Sequence, residues 1–433
     1  MKPLAVFGLA LSNRFRMRFF YDIFLFLYPL GLRLAAIRNK KAKQWISGRK
    51  DLKNRLKEAV ENGTGPIIWF HCASLGEFEQ GRPVIEAIKQ RHPTYRILLT
   101  FFSPSGYETR KNYTGADMIF YLPMDGPRNS NVFIATVQPV AAVFIKYETW
   151  HYYLTALHER GIPALLIAAI FFKEQSYFRP WGGFMRSMLN RFAHIFTQDE
   201  SSYAMLNSSD VTAPYSLCGD TRYDRVAQVA SESFHHPALE SFCRAADTVV
   251  AGSTWKEDEA QLSALAQRMP TLKFIIAPHE IGREHIERLT AQFENSICLS
   301  ELEHHDHPSQ FRTVIIDCIG LLSKLYRYAT LAYVGGGFNA SGIHNILEAS
   351  AYGRVVVFGP QYSISNEAKL LIAKELAYSC SKPHDFISRV EAILSNRSEL
   401  ENKNTAAHAF VMQNRGATEA ILAFMENKYF YIS

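Results

Sequence analysis

A chain of 433 residues is too long for one ordinary hydrophobic core and points to two domains of roughly 200 residues each. With 20% charged and 48% hydrophobic residues it describes a soluble globular body, and its formal charge of +6 is too mild to mark a nucleic-acid binder. Cys72, Cys218, Cys243, Cys298, Cys318 and Cys380 are dispersed without a CxxC pair, which excludes a disulfide framework or metal knuckle and fits a reducing compartment.

The positive charge is uneven. Arg14, Arg16, Arg18, Arg33, Arg38, Lys40, Lys41, Lys43, Arg49, Lys50, Lys53, Arg55 and Lys57 crowd the first sixty residues. Beside aromatic and aliphatic neighbours, such a block favours an anionic lipid surface over nucleic acid. The apolar segment Phe19–Ile37 carries Asp22, Pro29 and Arg33, three residues that a clean spanning helix of about 20 apolar residues rarely holds. Residues 1–50 therefore read as a leader with a monotopic anchor, ahead of a single span or a buried first helix. No small-residue cleavage site follows the apolar core, and residues 1–16 show no pattern that requires them, as in a start-site extension.

From residue 51 to 230, strand-like runs alternate with amphipathic helical patterns, the signature of a doubly wound parallel sheet. The runs are Pro66–Cys72, Arg96–Phe102, Asp117–Pro123, Val140–Lys146 and Ala164–Ile170, closed by residues 211–226. A polar stretch, Ser231–His236, reads as a linker to a second domain over 231–433. There Thr248–Thr254, Leu272–Pro278, Thr313–Asp317, Leu331–Gly336 and Val355–Pro360 repeat the pattern, and the last helix is expected to pack back on the first domain. Two such domains facing a cleft make a GT-B architecture.

Ligands on open parallel sheets bind beyond the carboxyl ends of the strands. That rule selects His71, Ser74 and Glu77 after the first run, then Lys146, Glu148 and Trp150 after the fourth. Glu77 follows Gly76 at a strand-to-helix turn, where a carboxylate either accepts a proton from an attacking hydroxyl or complements the helix terminus. Ser74 is not in a GxSxG setting, so a hydrolase nucleophile is disfavoured. Glu148 reads equally as a second functional carboxylate or as an acid paired with Lys146. In the second domain the rule selects Ser253 and Thr254, His279, and the loop from Gly335 to Glu348.

That loop carries most of the functional signal. A buried strand runs into glycines that permit close backbone approach, Gly336 and Gly337 among them, and His344, Asn345 and Glu348 fall where a helix opens. Asn345 and Glu348 are three apart, on one face, where a carboxylate can take both hydroxyls of a ribose and free N–H groups a phosphate. An ordinary βα turn with a capping Asn has the same spacing. The pattern is not GxGxxG after a first strand, so a dinucleotide fold is not implied.

In order, HCASLGEFEQGRPVIEAI, YLPMD, ETW, GDTRYD, AGST and VGGGFNASGIHNILEASAYGRVVVFGP resemble the 3-deoxy-D-manno-oct-2-ulosonic acid (Kdo) transferases of Gram-negative bacteria, from about Tyr21 to the C-terminus. The resemblance implies an inverting, metal-independent GT-B enzyme without a cofactor, moving Kdo from CMP-Kdo to the lipid A precursor at the cytoplasmic face of the inner membrane. It implies Glu77 as general base and Glu148 as a second carboxylate near the acceptor. Ser253, Thr254, His279, Gly336, Gly337, His344, Asn345 and Glu348 are implied on the donor side. The chain departs from the family in three places. An expected Asn-Ala-Arg is absent after Ile167, leaving Lys173 or Arg179 as the cation. His279 stands where an arginine is usual, with Arg283 or Lys324 as substitutes, and Lys146 replaces an acidic residue before ETW. A nucleotide-sugar epimerase of the same architecture, or a noncatalytic membrane-associated binding protein, are the other readings.

Overall fold

The computed structural model describes residues 3–340 and 342–430, with only the backbone described for residues 3–15 and 383. The first two residues of the leader and Ser341 in the glycine-rich loop lie outside the described residues, as do residues 431–433. The chain forms two compact units, Met1–Asp224 with Gly416–Ser433, and Arg225–Arg415.

The first unit is built on a seven-stranded parallel sheet, β1 (Ile67–Cys72), β2 (Arg96–Phe101), β3 (Met118–Tyr121), β4 (Ala141–Ile145), β5 (Ala164–Ala169), β6 (His194–Thr197) and β7 (Tyr215–Leu217). The order is β3-β2-β1-β4-β5-β6-β7. β1 and β4 are buried at every position, because helices cover both faces of a parallel sheet and remove any need for polar alternation. The helices that concern the site are α1 (Pro3–Ala35), α2 (Lys40–Ser47), α3 (Leu52–Glu61), α4 (Leu75–Arg91), α5 (Pro104–Arg110), α6 (Pro127–Val137) and α7 (His151–Glu159). β1 lies between β2 and β4, so the connections leave in opposite directions there and open a crevice at the strand ends.

The second unit repeats the design with β8 (Thr248–Thr254), β9 (Lys273–Pro278), β10 (Ser296–Cys298), β11 (Thr313–Ile315), β12 (Leu331–Val334), β13 (Val356–Phe358) and β14 (Ala377–Ser379). Its order is β10-β11-β9-β8-β12-β13-β14, which places the equivalent switch between β8 and β12.

The C-terminal helix Ala417–Tyr429 belongs to the first unit. Ile421, Leu422 and Met425 are buried in the same core cluster as Ile68, Phe70 and Ile85. Asp224 fixes the return of the chain by accepting from the backbone N–H of Gly416 at 2.7 Å and of Thr418 at 2.8 Å.

The leader helix is neither fully buried nor free. Tyr21 donates to Asp125 at 2.6 Å and Tyr152 donates to Asp22 at 2.6 Å, so the acid within the apolar segment has a specific partner on α7. Tyr28 packs on Trp45 and Phe102 with ring centroids 5.9 Å apart in each case. The remaining face is exposed and apolar, with Phe19 62%, Phe26 71%, Leu34 73% and, beyond the helix, Ile37 80% accessible. Among the described residues no helix is long and apolar enough to cross a membrane.

Candidate active site

In the first unit, the switch point brings the ends of β1 and β4 together. Ser74 is the N-cap of α4 and Glu77 stands in its first turn. Glu77 Oε2 accepts from the Ser74 N–H at 3.1 Å and from the Ala73 N–H, while Oε1 has no hydrogen-bond partner among the described residues. The capping reading and the chemical reading thus coexist: one oxygen caps the helix and orients the carboxylate, and the other remains to accept a proton. Glu77 is only 5% exposed. Burial, and after it the charge of Glu148, push its proton affinity up, while the two N–H groups and the Lys146 charge pull it back, leaving its pKa at about 7. A carboxylate at that value is poised as a base near neutrality.

Glu148 is held from β1 and from its own loop. Trp150 Nε1 donates to Glu148 Oε2 at 2.8 Å, and His71 Nε2 faces the same oxygen at 3.5 Å. The other nitrogen of His71 meets Thr100 Oγ1 at 3.0 Å, and Thr100 also accepts from Trp69 Nε1 at 2.7 Å. His71 is fully buried, so this chain of contacts fixes its ring toward Glu148. Lys146 adopts a left-handed backbone (φ 64°) at the end of β4 and directs its charge on Glu77. Lys173 and Arg179 are exposed in the loop after β5, and neither contacts Glu77 or Glu148 among the described residues. Arg179 instead donates to the Glu174 carbonyl at 3.4 Å.

The second unit places its residues around the β8/β12 switch. Ser253 is left-handed (φ 54°) at a register shift between β8 and β9, which turns the chain toward Trp255 and the helix Lys256–Arg268. Thr254 is buried, with its hydroxyl toward Glu259 at 3.4 Å. The His279 ring stacks on both Trp255 and His344, with centroids 4.4 Å and 4.7 Å away respectively. Trp255 Nε1 donates to His344 Nε2 at 3.2 Å. Burial, and then the neighbouring His279, push the His344 pKa down to about 4, so this imidazole is a neutral acceptor near pH 7. Asp258 organises the same corner by accepting from Tyr333 Oη at 2.6 Å and from the N–H groups of Gly336 and Trp255 at 2.9 Å each.

Gly336 takes φ 91°, and a Cβ on Gly337 would lie 2.6 Å from the Gly359 backbone, so both glycines are required by conformation or close approach. The expected opening of a helix at His344 is corrected. The helix is Leu347–Ala351, five residues long, and His344 and Asn345 precede it. Asn345 Oδ1 accepts from the Leu347 N–H at 3.1 Å and its amide donates to Glu348 at 3.2 Å. Asn345 and Glu348 therefore meet through a cap and not as neighbours on one helical face. Of the two substitute cations, Arg283 is paired with Glu287 at 2.8 Å and Lys324 with Glu232 at 3.4 Å.

Sequence reasoning missed Trp255 and Asp258. The available signal was a polar strand end, GST, followed by an aromatic and by an acid three residues later, the spacing of a helix-capping side chain.

Two doubly wound units, each with polar side chains gathered at its switch point, give a GT-B-like α/β fold. The profile of the 3-deoxy-D-manno-octulosonic-acid transferase (kdotransferase) family matches residues 50–225. The chain is 25% identical over 427 residues to the 3-deoxy-D-manno-octulosonic acid transferase of Haemophilus influenzae, covering 94% of this chain and 98% of that protein. It is 23% identical over 364 residues to a bifunctional glycosyltransferase/methyltransferase of Fusobacterium nucleatum, covering 80% of this chain and 55% of that longer protein. In fold it is similar to the UDP-GlcNAc 2-epimerase from Neisseria meningitidis, with a TM-score of 0.59 at 15% identity over 84% of this chain and 100% of that one. Residues 50–225 carry the domain of the 3-deoxy-D-manno-octulosonic-acid transferase family, similarity to curated transferases of that name extends over most of the chain, and the protein is a glycosyltransferase.

Proposed function

We propose that this glycosyltransferase carries out Kdo transfer in lipopolysaccharide core biosynthesis, moving Kdo from CMP-Kdo to the lipid A precursor. Glu77 takes the proton of the acceptor hydroxyl as its oxygen forms a bond to the anomeric carbon of Kdo. The bond from that carbon to the CMP phosphate oxygen breaks, and CMP leaves with the electron pair. The observation that carries the reading is the buried Glu77 carboxylate, fixed by two backbone N–H groups and raised to about 7 by burial and Glu148. Lys146, Glu148 and Ser74 are assigned to the acceptor side. Lys173 and Arg179, both exposed, are candidate cations for acidic sugar or phosphate.

On the donor side, the Trp255, His279 and His344 rings offer a stacking surface suited to a base, with Ser253, Thr254, Gly336, Gly337, Asn345 and Glu348 for the ribose and phosphate. The exposed apolar face of α1, flanked by basic residues, supports attachment to the cytoplasmic face of the inner membrane in a monotopic manner. The likeness to an epimerase at 15% identity concerns fold alone.

The test is incubation of detergent-solubilised protein with CMP-Kdo and a tetra-acylated lipid A precursor, followed by mass spectrometry of the lipid. A gain of one or more Kdo units is expected. Well-folded protein that yields no such product while turning over another nucleotide sugar would overturn the reading.

A further inference from the structure

A cavity lies within the first unit, away from the carboxylates. It has a volume of about 530 Å³, and its wall is formed by Pro29 of α1, Trp45 of α2, Leu56 of α3, and Met124, Val132 and Phe133 at and within α6. That is the size and lining of a pocket for an apolar ligand. Its rim is cationic: Lys53 and Arg128 are exposed and make no ion pair or hydrogen bond among the described residues. Asp51 is the one acid on the rim, and its Oδ1 is taken by the Asn54 amide at 2.5 Å. Arg49, also in the lining, spends its guanidinium on the carbonyls of Trp45, Phe102 and Leu122.

The wall also contains an unsatisfied donor. Trp45 is 7% exposed and its indole N–H has no hydrogen-bond partner among the described residues. A buried donor without a partner is costly unless a ligand oxygen meets it. The cavity is separated from the carboxylate pair by rings, Trp45 against Phe102 at 5.9 Å and Phe102 against Trp150 at 4.9 Å, with Trp150 in turn bonded to Glu148. Its occupant is therefore a neighbour of the reaction and not the reacting sugar. Pro29 joins the cavity to α1, whose exposed Phe26, Leu27 and Leu30 are its sequence neighbours.

We propose that this cavity takes one acyl chain of an anionic phospholipid from the leaflet on which α1 rests, with the phosphate at Lys53 and Arg128 and a glycerol-ester oxygen accepting from Trp45. The proposal rests on the membrane attachment argued above, and Trp45 is a built-in reporter that separates the two. The full chain is mixed with phosphatidylglycerol vesicles carrying brominated acyl chains, and the Trp45 emission is isolated by subtraction of Trp45→Phe. Loss of most of that emission is expected. Val132→Phe, which fills the cavity, should restore it without changing sedimentation with the vesicles. Lys53→Gln and Arg128→Gln should each lower the preference for phosphatidylglycerol over phosphatidylcholine by about fivefold. Protein that sediments with the vesicles but keeps its Trp45 emission, or Val132→Phe that remains quenched, overturns the cavity and leaves membrane attachment standing. Protein that does not sediment, yet shows Trp45 quenched by the same lipid in mixed micelles, supports the cavity and removes the attachment. Unquenched Trp45 in both settings overturns the proposal.

Discussion

The two units carry the same kind of sheet and gather polar residues at the same topological place, yet they arrange them differently. At the β1/β4 switch, two carboxylates are buried close enough for one to raise the proton affinity of the other. At the β8/β12 switch, the acid Asp258 is met by three donors, and beside it His279 stacks on two further rings, of which the half-buried His344 is neutral. The first site holds a group whose proton can be moved, and the second holds shape and backbone. One fold supplies both because the crevice at a switch point is generic, and the side chains set into it decide between chemistry and binding.

Glu77→Gln is the sharpest way to break that division. Removal of a general base costs about 10²- to 10⁴-fold in turnover, and the account expects this in kcat with the CMP-Kdo Kd measured by calorimetry unchanged. Gly337→Ala attacks the second unit through its backbone. A Cβ placed 2.6 Å from Gly359 must displace main chain, and a loss of about 1–3 kcal/mol in stability is expected, read as a lower denaturant midpoint. Trp255→Ala is milder. Loss of a ring pair worth about 0.5–1.5 kcal/mol should weaken CMP binding by roughly two- to tenfold, while the pH dependence of turnover stays where it is. A shift in that pH dependence would mean that the ring stack and the carboxylates are one system.

Much of the architecture was legible because parallel strands buried on both faces are plain apolar runs, as in β1 and β4. The strands that escaped are short and lack the longer apolar runs that surround the equally short β11 and β13: β6 has four residues, and β10 and β14 have three each at sheet edges. The placement of Glu77 at a strand-to-helix turn was legible. The partnership of Glu148 with His71 was not, since it depends on β1 pairing with β4, residues some seventy positions apart in sequence and adjacent only through the sheet. Trp255 was hidden for the same reason, its stacking partners arriving from β9 and from the loop after β12. The leader was read from charge and hydropathy, which reported its exposed face. They could not report that Asp22 accepts from Tyr152 of α7 and that Tyr21 donates to Asp125.

The central claim is that Glu77 acts as a base whose proton affinity is set by burial and by Glu148, and the pH dependence of kcat/KM tests it most directly. Because the base works in its deprotonated form, activity should rise with pH through about 7 in the wild type. In Glu148→Gln the repulsive charge is gone, Glu77 releases its proton more readily, and the rising limb should move to lower pH whatever happens to its height. A limb that stays in place in the variant, or a profile with no ascent near 7 in the wild type, would contradict the account.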